Sequence, residues 1–552
     1  MSKNRTIVAD YIVDFLYSLG VRNIFMLSGT GSVKLDDAFS RKKGMKYVCA
    51  RHEATAIAMA EAVAKLTNKI GVSVVTTGPG GANAIPGVIE AWVDSAPVLI
   101  ISGQVNSSQH IEDRAFGIQG FNIIDNVKNF TKYSVKLADP NLIKYHLEKA
   151  IYKAFNGRPG PVWIDIPMDL QSAEVDLDTL KGFNPPEKIS TPTDMLKLLE
   201  LLKKSSKPLV AFGRGVKLSD TQDDLLAMLK RLNIPSISAR MANDVLSYES
   251  AHYFGMGGIR GRRAALGAMK KCDLLITLGT SNCYTFFGED GECLQSTTKV
   301  VVVNTDESIF KRNDIKIDLA MKCDLKDFFQ ELSIQDFVFD FSGWLRECQE
   351  IKVKNPMVTQ DLATNPINSY YLANLLSKIT DSKHIFTNDA GSSNYISSQS
   401  LNFTKGQREL TSGAFYTMGL TLPLAIGAAI EEPHMQIIAI TGDGSIELNI
   451  QELQTISLNN LNIKIIVINN GGYASIRNSQ DAMCGGRYTD DDQILNFKKV
   501  ADAFNLDFDI IQDVALLEEK LIKAFSNEKP MIIEVVCDDS QYMIQPTKEE
   551  LK

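Results

Sequence analysis

Long apolar runs are missing from this chain of 552 residues. Nowhere do about 18 apolar residues follow one another, so no membrane-spanning helix is predicted. Basic blocks are missing too. The net charge is −8, which makes nucleic acid and anionic membrane surfaces unexpected partners. The eight cysteines form no CxxC pair and no metal-like spacing. That argues against a disulfide framework, fits a reducing compartment and leads to the expectation of a cytoplasmic protein. The first residues, MSKNRTIVADYIVDFLYSLGV, break their apolar positions with Asp10 and Asp14. They predict an amphipathic helix and not a secretory signal.

What is present is ordinary in amount and ordered in pattern. Hydrophobic residues make up 44% and charged residues 22%, as in soluble globular proteins. Short apolar runs ending in glycine alternate with helical patterns: VSVVTTGPGG, PVLIISGQ, PLVAFGRG, DLLITLGT, QIIAITGDG and IKIIVINNGG. Uniformly apolar strands are typical of parallel sheets covered on both faces, so the predicted class is α/β, with doubly wound sheets. Polar, proline-containing stretches at 181–194 and 354–368 divide the chain into three domains, expected at 1–182, 190–350 and 365–545. The first and third echo each other. Each has a strand, then a glycine turn (Gly78-Pro79-Gly80 or Gly442-Asp443-Gly444), then a helix and a second strand.

The second of these turns carries the chemistry. Ile446, Ile450, Leu453 and Ile456 predict a helix with one apolar face directly after Asp443. In a right-handed βαβ unit, Asp443 and Asn470 then lie at the carboxyl ends of adjacent strands, where open α/β sheets bind ligands. Gly442 and Gly444 let backbone amides approach a phosphate, and a helix N-terminus favours the anion. The side-chain oxygens of Asp443 and Asn470 are hard ligands suited to Mg²⁺ or Ca²⁺. The set reads as a metal-bridged diphosphate site. A plain βαβ unit whose turn aspartate caps its helix is the alternative.

At Gly442-Asp443-Gly444 and Asn469-Asn470 the sequence resembles the thiamine diphosphate signature. Across nearly the whole chain it is similar to acetohydroxyacid (acetolactate) synthase large subunits, notably in TTGPGGANAIPGVIEAWVDSAPVLIISGQV and GRPGPVWIDIPMDLQ. The resemblance implies an N-terminal pyrimidine-binding domain, a central domain and a C-terminal diphosphate-binding domain. It implies that Glu53, in YVCARHEATA, is the carboxylate that protonates the aminopyrimidine ring, and that Gln104 lines the reaction centre. Met418 would prop the cofactor into its bent form, and Tyr416 would offer a backbone carbonyl to the pyrimidine amine, where related synthases carry glycine. Gly391 and Ser392 of DAGSSNY, with Gly442, Gly444 and Ser445, would contact the diphosphate. The metal ligands would be Asp443, Asn470 and the carbonyl of Gly472. The implied enzyme is a thiamine diphosphate- and Mg²⁺-dependent carboligase. It would decarboxylate a 2-keto acid such as pyruvate and transfer the acyl unit to a carbonyl acceptor. Its active site would form between the subunits of a homo-oligomer.

Departures from the pattern sit on the substrate side. Ser28-Gly29-Thr30 stands where the family has PGG, and Ser479 where a tryptophan selects the second keto acid, so the acceptor, keto acid or keto-sugar, stays open. None of the six histidines forms the adjacent pair of pyruvate decarboxylase relatives; His52 and His110 stand alone. That favours ligation over simple aldehyde release. A decarboxylase without ligation and an inactive cofactor-binding homologue remain the alternatives. Glycines and cations at 211–215, Arg158 and 257–263 leave FAD possible in the central domain.

Overall fold

The computed structural model describes residues 4–109, 117–187, 194–312, 314–488 and 494–544. Three six-stranded sheets follow one another along the chain, each parallel throughout and covered by helices. Counting strands along the chain, the first and third sheets share the spatial order 2-1-3-4-6-5, whereas the middle one has 3-2-1-4-5-6. The echo in the sequence is therefore a shared topology. The middle order is that of dinucleotide-binding sheets.

Alternation along the strands explains why both faces are covered. In Gln436–Gly442, Ile437 and Ala439 enter one core while Ile438 and Ile440 enter another. In Val98–Gln104, Val98 and Ile100 face the first of these cores and Leu99 and Ile101 a third. One apolar core thus runs continuously between the first and third sheets. At its centre lies the helix Glu53–Thr67, EATAIAMAEAVAKLT, buried on nearly all sides as its all-round small and apolar composition requires. It packs against the helix Thr421–Glu431. A Cβ on Gly427 would lie 2.3 Å from the carbonyl oxygen of Met59, and one on Gly71 only 2.0 Å from that of Ala60. Glycine is required where backbones approach this closely.

A charged seam lies beside this core. Lys65 Nζ pairs with Glu61 and with Asp94, both at 2.7 Å, and donates to the carbonyl of Thr411 at 3.0 Å. Asp94 accepts the N–H of Gly413 at 3.0 Å, and Glu90 accepts the Thr417 hydroxyl. Burial pushes the Glu61 carboxyl up to about 7, against the pull of Lys65.

The N-terminal helix forms as expected, at Val8–Ser18, burying Val8, Ile12, Val13 and Leu16. Two expectations need correction or qualification. The segment after Asp443 is not one α-helix: a 3₁₀ turn spans Ile446–Asn449 and the α-helix runs only over Glu452–Leu458. Asn449 donates its amide to the Gly419 carbonyl at 2.9 Å, and Gln451 donates to Asn449. Side chains busy elsewhere compete with the helical ladder here. The apolar face survives, with Ile446, Leu453 and Ile456 buried and Ile450 partly so. His110 and part of the 181–194 linker lie outside the described residues.

Candidate active site

Strands Gln436–Gly442 and Ile463–Asn469 are parallel neighbours, with Gly442 opposite Ile468. Asp443 and Asn470 therefore sit side by side at the carboxyl edge. Asp443 is 2% exposed. Its Oδ1 accepts the N–H of Gly444 at 2.8 Å, and its Oδ2 accepts those of Asn470 at 3.0 Å and Gly472 at 2.9 Å. Burial raises its pKa and the three backbone donors oppose the rise. Three N–H groups fix the carboxylate and leave lone pairs over for a cation. Gly471 and Gly472 have φ of +78° and +94°, and this left-handed turn, glycine's own territory, aims the Gly472 amide back at Asp443. Arg477 secures the turn by donating to the carbonyl of Asn470 at 2.6 Å and to that of Gly471.

Asn470 Nδ2 lies 3.4 Å from Ser392 Oγ, which leaves Oδ1 as the available ligand atom. Asn469 turns away and donates to Glu534 at 2.7 Å. The Gly472 carbonyl accepts Ala474 N–H at 2.8 Å, so one lone pair is already engaged. A Cβ at Gly444 would fall 2.6 Å from the Tyr473 ring, whereas one at Gly442 would meet Ser445 Oγ at an ordinary 4.0 Å. Ser445 is buried beside them. Gly391 opens the helix Gly391–Ser400 at φ +71°. The structure thus brings Gly391, Ser392, Gly442, Asp443, Gly444, Ser445, Asn470 and Gly472 to one sheet edge. A carboxylate, an amide oxygen and a carbonyl beside a glycine cradle suit Mg²⁺ and a diphosphate.

Tyr416 and Met418 stand in the segment leading to Gly419, and Tyr416 lines a cleft at the middle sheet. Tyr416 has φ +56°, a left-handed conformation that costs a non-glycine residue about 1–2 kcal/mol. Its ring meets Tyr395 edge-on at 5.8 Å. Two residues that sequence reading gave no role hold this segment. Glu90 bonds Thr417, and the buried Asp389 accepts the N–H of Gly419 at 2.8 Å. Burial pushes the Asp389 carboxyl up to about 6. Its signal in the sequence is an acid directly after the strand His384–Asn388, at the head of DAGSSNY.

Glu53 and Gln104 form a separate group at the carboxyl edge of the first sheet. Glu53 is 6% exposed and accepts the amide of Asn83 at 3.1 Å. His52 caps the same helix, its Nδ1 accepting Ala54 N–H at 3.2 Å, so it has a structural task. Gln104 is 1% exposed and fully engaged. Its amide donates to Phe121 at 2.7 Å and Asp165 at 3.1 Å, and its oxygen accepts from Thr77 at 2.8 Å and Val105 at 3.0 Å. Arg51 N–H and the Thr55 hydroxyl, on either side of Glu53, donate to Glu452 at 2.8 Å and 2.6 Å, so this end of the helix docks on the helix Glu452–Leu458.

A third feature opens at the carboxyl edge of the middle sheet: a cleft of about 330 Å³. Gly213, Arg214, Gly215, Gly257 and Arg260 line it, with Arg158 facing them from the first domain. The three stretches singled out in the sequence converge here. Arg214 is buried and its Nη2 has no hydrogen-bond partner among the described residues. Ser479 lies exposed on the helix Ala474–Met483. No helix among the described residues is long and apolar enough to cross a membrane.

Comparison with known proteins bears on these three edges. Residues 6–135 match the N-terminal TPP-binding domain of thiamine pyrophosphate enzymes, 195–332 the central domain and 389–535 the C-terminal TPP-binding domain. The chain is 29% identical to the acetolactate synthase large subunit of Lactococcus lactis, over 97% of this chain and 93% of that protein. It is 30% identical to that of Cyanidium caldarium, over 97% and 94%. It is 28% identical to a probable acetolactate synthase large subunit of Methanocaldococcus jannaschii, over 97% and 92%.

Proposed function

Because this chain belongs to the thiamine pyrophosphate enzymes and is acetolactate synthase-like, we propose that it is a Mg²⁺-dependent decarboxylating carboligase. Pyruvate is the proposed donor, and a carbonyl compound, keto acid or keto-sugar, the acceptor. The observation that carries the reading is the carboxylate of Asp443, locked by three backbone N–H groups beside Asn470.

Asp443, Asn470 and the Gly472 carbonyl would hold the cation, while Gly442, Gly444, Ser445, Gly391 and Ser392 would receive the diphosphate. Met418 would support the bend between the cofactor's rings, and the Tyr416 carbonyl would accept its pyrimidine amine. Bound thiamine diphosphate supplies an electron sink for the carbon that loses CO₂. Glu53 would hold the proton shared with the pyrimidine ring nitrogen, with Asn83 orienting its carboxyl. Gln104 would shape the wall beside it, kept in place by Thr77 and Asp165.

A homodimer is the proposed minimum unit, supported by exposed apolar side chains near the site: Phe415 at 49%, Leu448 at 50% and Ile476 at 50%. The cleft at the middle sheet supports FAD as a second ligand, its glycines and Arg214 suiting an anionic dinucleotide.

Incubation of the purified protein with pyruvate, thiamine diphosphate and Mg²⁺, read by product analysis, tests the function. Acetolactate or another ligation product is expected. Acetaldehyde alone makes the protein a decarboxylase, and cofactor binding without turnover of any 2-keto acid makes it an inactive homologue. Absorbance of the purified protein decides the flavin.

A further inference from the structure

We propose that Asp389 is a positioning residue that locks the three cofactor-facing segments of the C-terminal domain into one arrangement. The inference rests on the function proposed above. Asp389 follows strand His384–Asn388, whose next strand along the chain, Arg408–Leu410, lies on one side. Gln436–Gly442 lies on its other side and leads the chain away in the opposite direction, so Asp389 sits at the sheet's topological switch point.

Its carboxylate is 2% exposed. Oδ1 accepts the N–H of Ala390 and that of Gly419, both at 2.8 Å, and Oδ2 accepts the Thr441 hydroxyl at 3.0 Å. Each main donor borders a proposed cofactor contact: Ala390 precedes Gly391 and Ser392, Gly419 follows Met418, and Thr441 precedes Gly442 and Asp443. One buried acceptor therefore ties together the helix start at the diphosphate, the prop under the bend and the metal-binding turn. A hydrogen bond to a charged group contributes more than a neutral one, and leaving buried donors unmet carries a further penalty.

The test uses the full-length protein carrying Asp389→Asn, Asp389→Ala or Thr441→Val. Thiamine diphosphate affinity in Mg²⁺ is measured by calorimetry, melting temperature without cofactor, and kcat and KM at saturating cofactor. Asp389→Asn keeps an acceptor for both N–H groups and can donate to the Thr441 hydroxyl, so its affinity is expected within about threefold of the parent. Asp389→Ala is expected to bind roughly tenfold or more weakly and to lose kcat while KM for pyruvate holds. Thr441→Val severs one arm and is expected to fall between. If Asp389→Ala does not fold, Thr441→Val decides. The inference is overturned if Thr441→Val and any folded Asp389→Ala protein bind the cofactor like the parent. It is equally overturned if affinity falls only in step with the cofactor-free melting temperature and Asp389→Asn rescues nothing. A parent protein that binds no thiamine diphosphate defeats the functional reading first, which separates the two failures.

Discussion

Replacing Lys65 with methionine removes the ammonium placed among Glu61, Glu90 and Asp94. Lys65 is only 4% exposed, and the carboxylate oxygens of those three residues lie within 4.8 Å of one another. Burial works against its charge, but the neighbouring carboxylates outweigh it and push the pKa up to about 12. Breaking a buried pair by deleting one partner costs about 3–5 kcal/mol. For a domain of this size that is a fall of roughly 10 °C in melting temperature. The loss depends on pH. A carboxyl with a higher pKa in the folded than in the unfolded chain binds more protons when folded, so stability is lost as pH rises from the unfolded value to the folded one. Glu61, already at about 7, rises further without Lys65. The deficit is therefore expected to be modest at pH 6 and to widen towards pH 8.5. Thermal unfolding followed by circular dichroism at both values measures it, and a Lys65→Met/Glu61→Met double variant is expected to regain part of the loss. A Lys65→Met protein that melts like its parent at pH 8.5 would refute the reasoning. Because Lys65 and Asp94 also hold the backbone at Thr411 and Gly413, the same variant is expected to bind cofactor more weakly.

Glu53→Gln is expected to keep thiamine diphosphate affinity while lowering kcat by about 10²–10⁴, the usual worth of a placed proton donor; full turnover would remove it from the mechanism. Asp443→Ala is expected to abolish Mg²⁺-dependent cofactor binding in calorimetry and, by leaving three backbone N–H groups unmet, to lower the cofactor-free melting temperature. Gly427→Ala, whose Cβ would meet the Met59 carbonyl oxygen at 2.3 Å, is expected to destabilise by about 1–3 kcal/mol or more in denaturant titration.

The strands and the Asp443–Asn470 edge were legible because their signals are local. Uniform apolarity marks covered strands, and Gly442-Asp443-Gly444 with Asn470 is fixed by a single βαβ unit. What sequence left out depends on pairs far apart in the chain. Glu90 meets Thr417, Lys65 meets Thr411, and Asp389 meets Gly419 and Thr441; no spacing rule predicts such bonds. The full engagement of Gln104 is not legible either, since Asp165 and Phe121 come from other strands and loops. The single helix expected after Asp443 failed because Asn449 answers to Gly419, a residue outside its own periodic pattern. Tyr416 stands where the resemblance implies glycine, and its positive φ supplies the physical reason.

The proposed sharing of each site between two protomers, with Glu53 at the start of the alanine-rich helix of one and Asp443 in the other, has a genetic corollary. Two proteins, one lacking the Glu53 carboxyl and one lacking the Asp443 carboxyl, are each expected to be dead alone. Mixed and reassembled, they can donate their intact halves to each other. Random pairing into two-fold dimers would restore about one quarter of the parental activity. If each chain instead built its active site alone, the mixture would stay silent at any ratio.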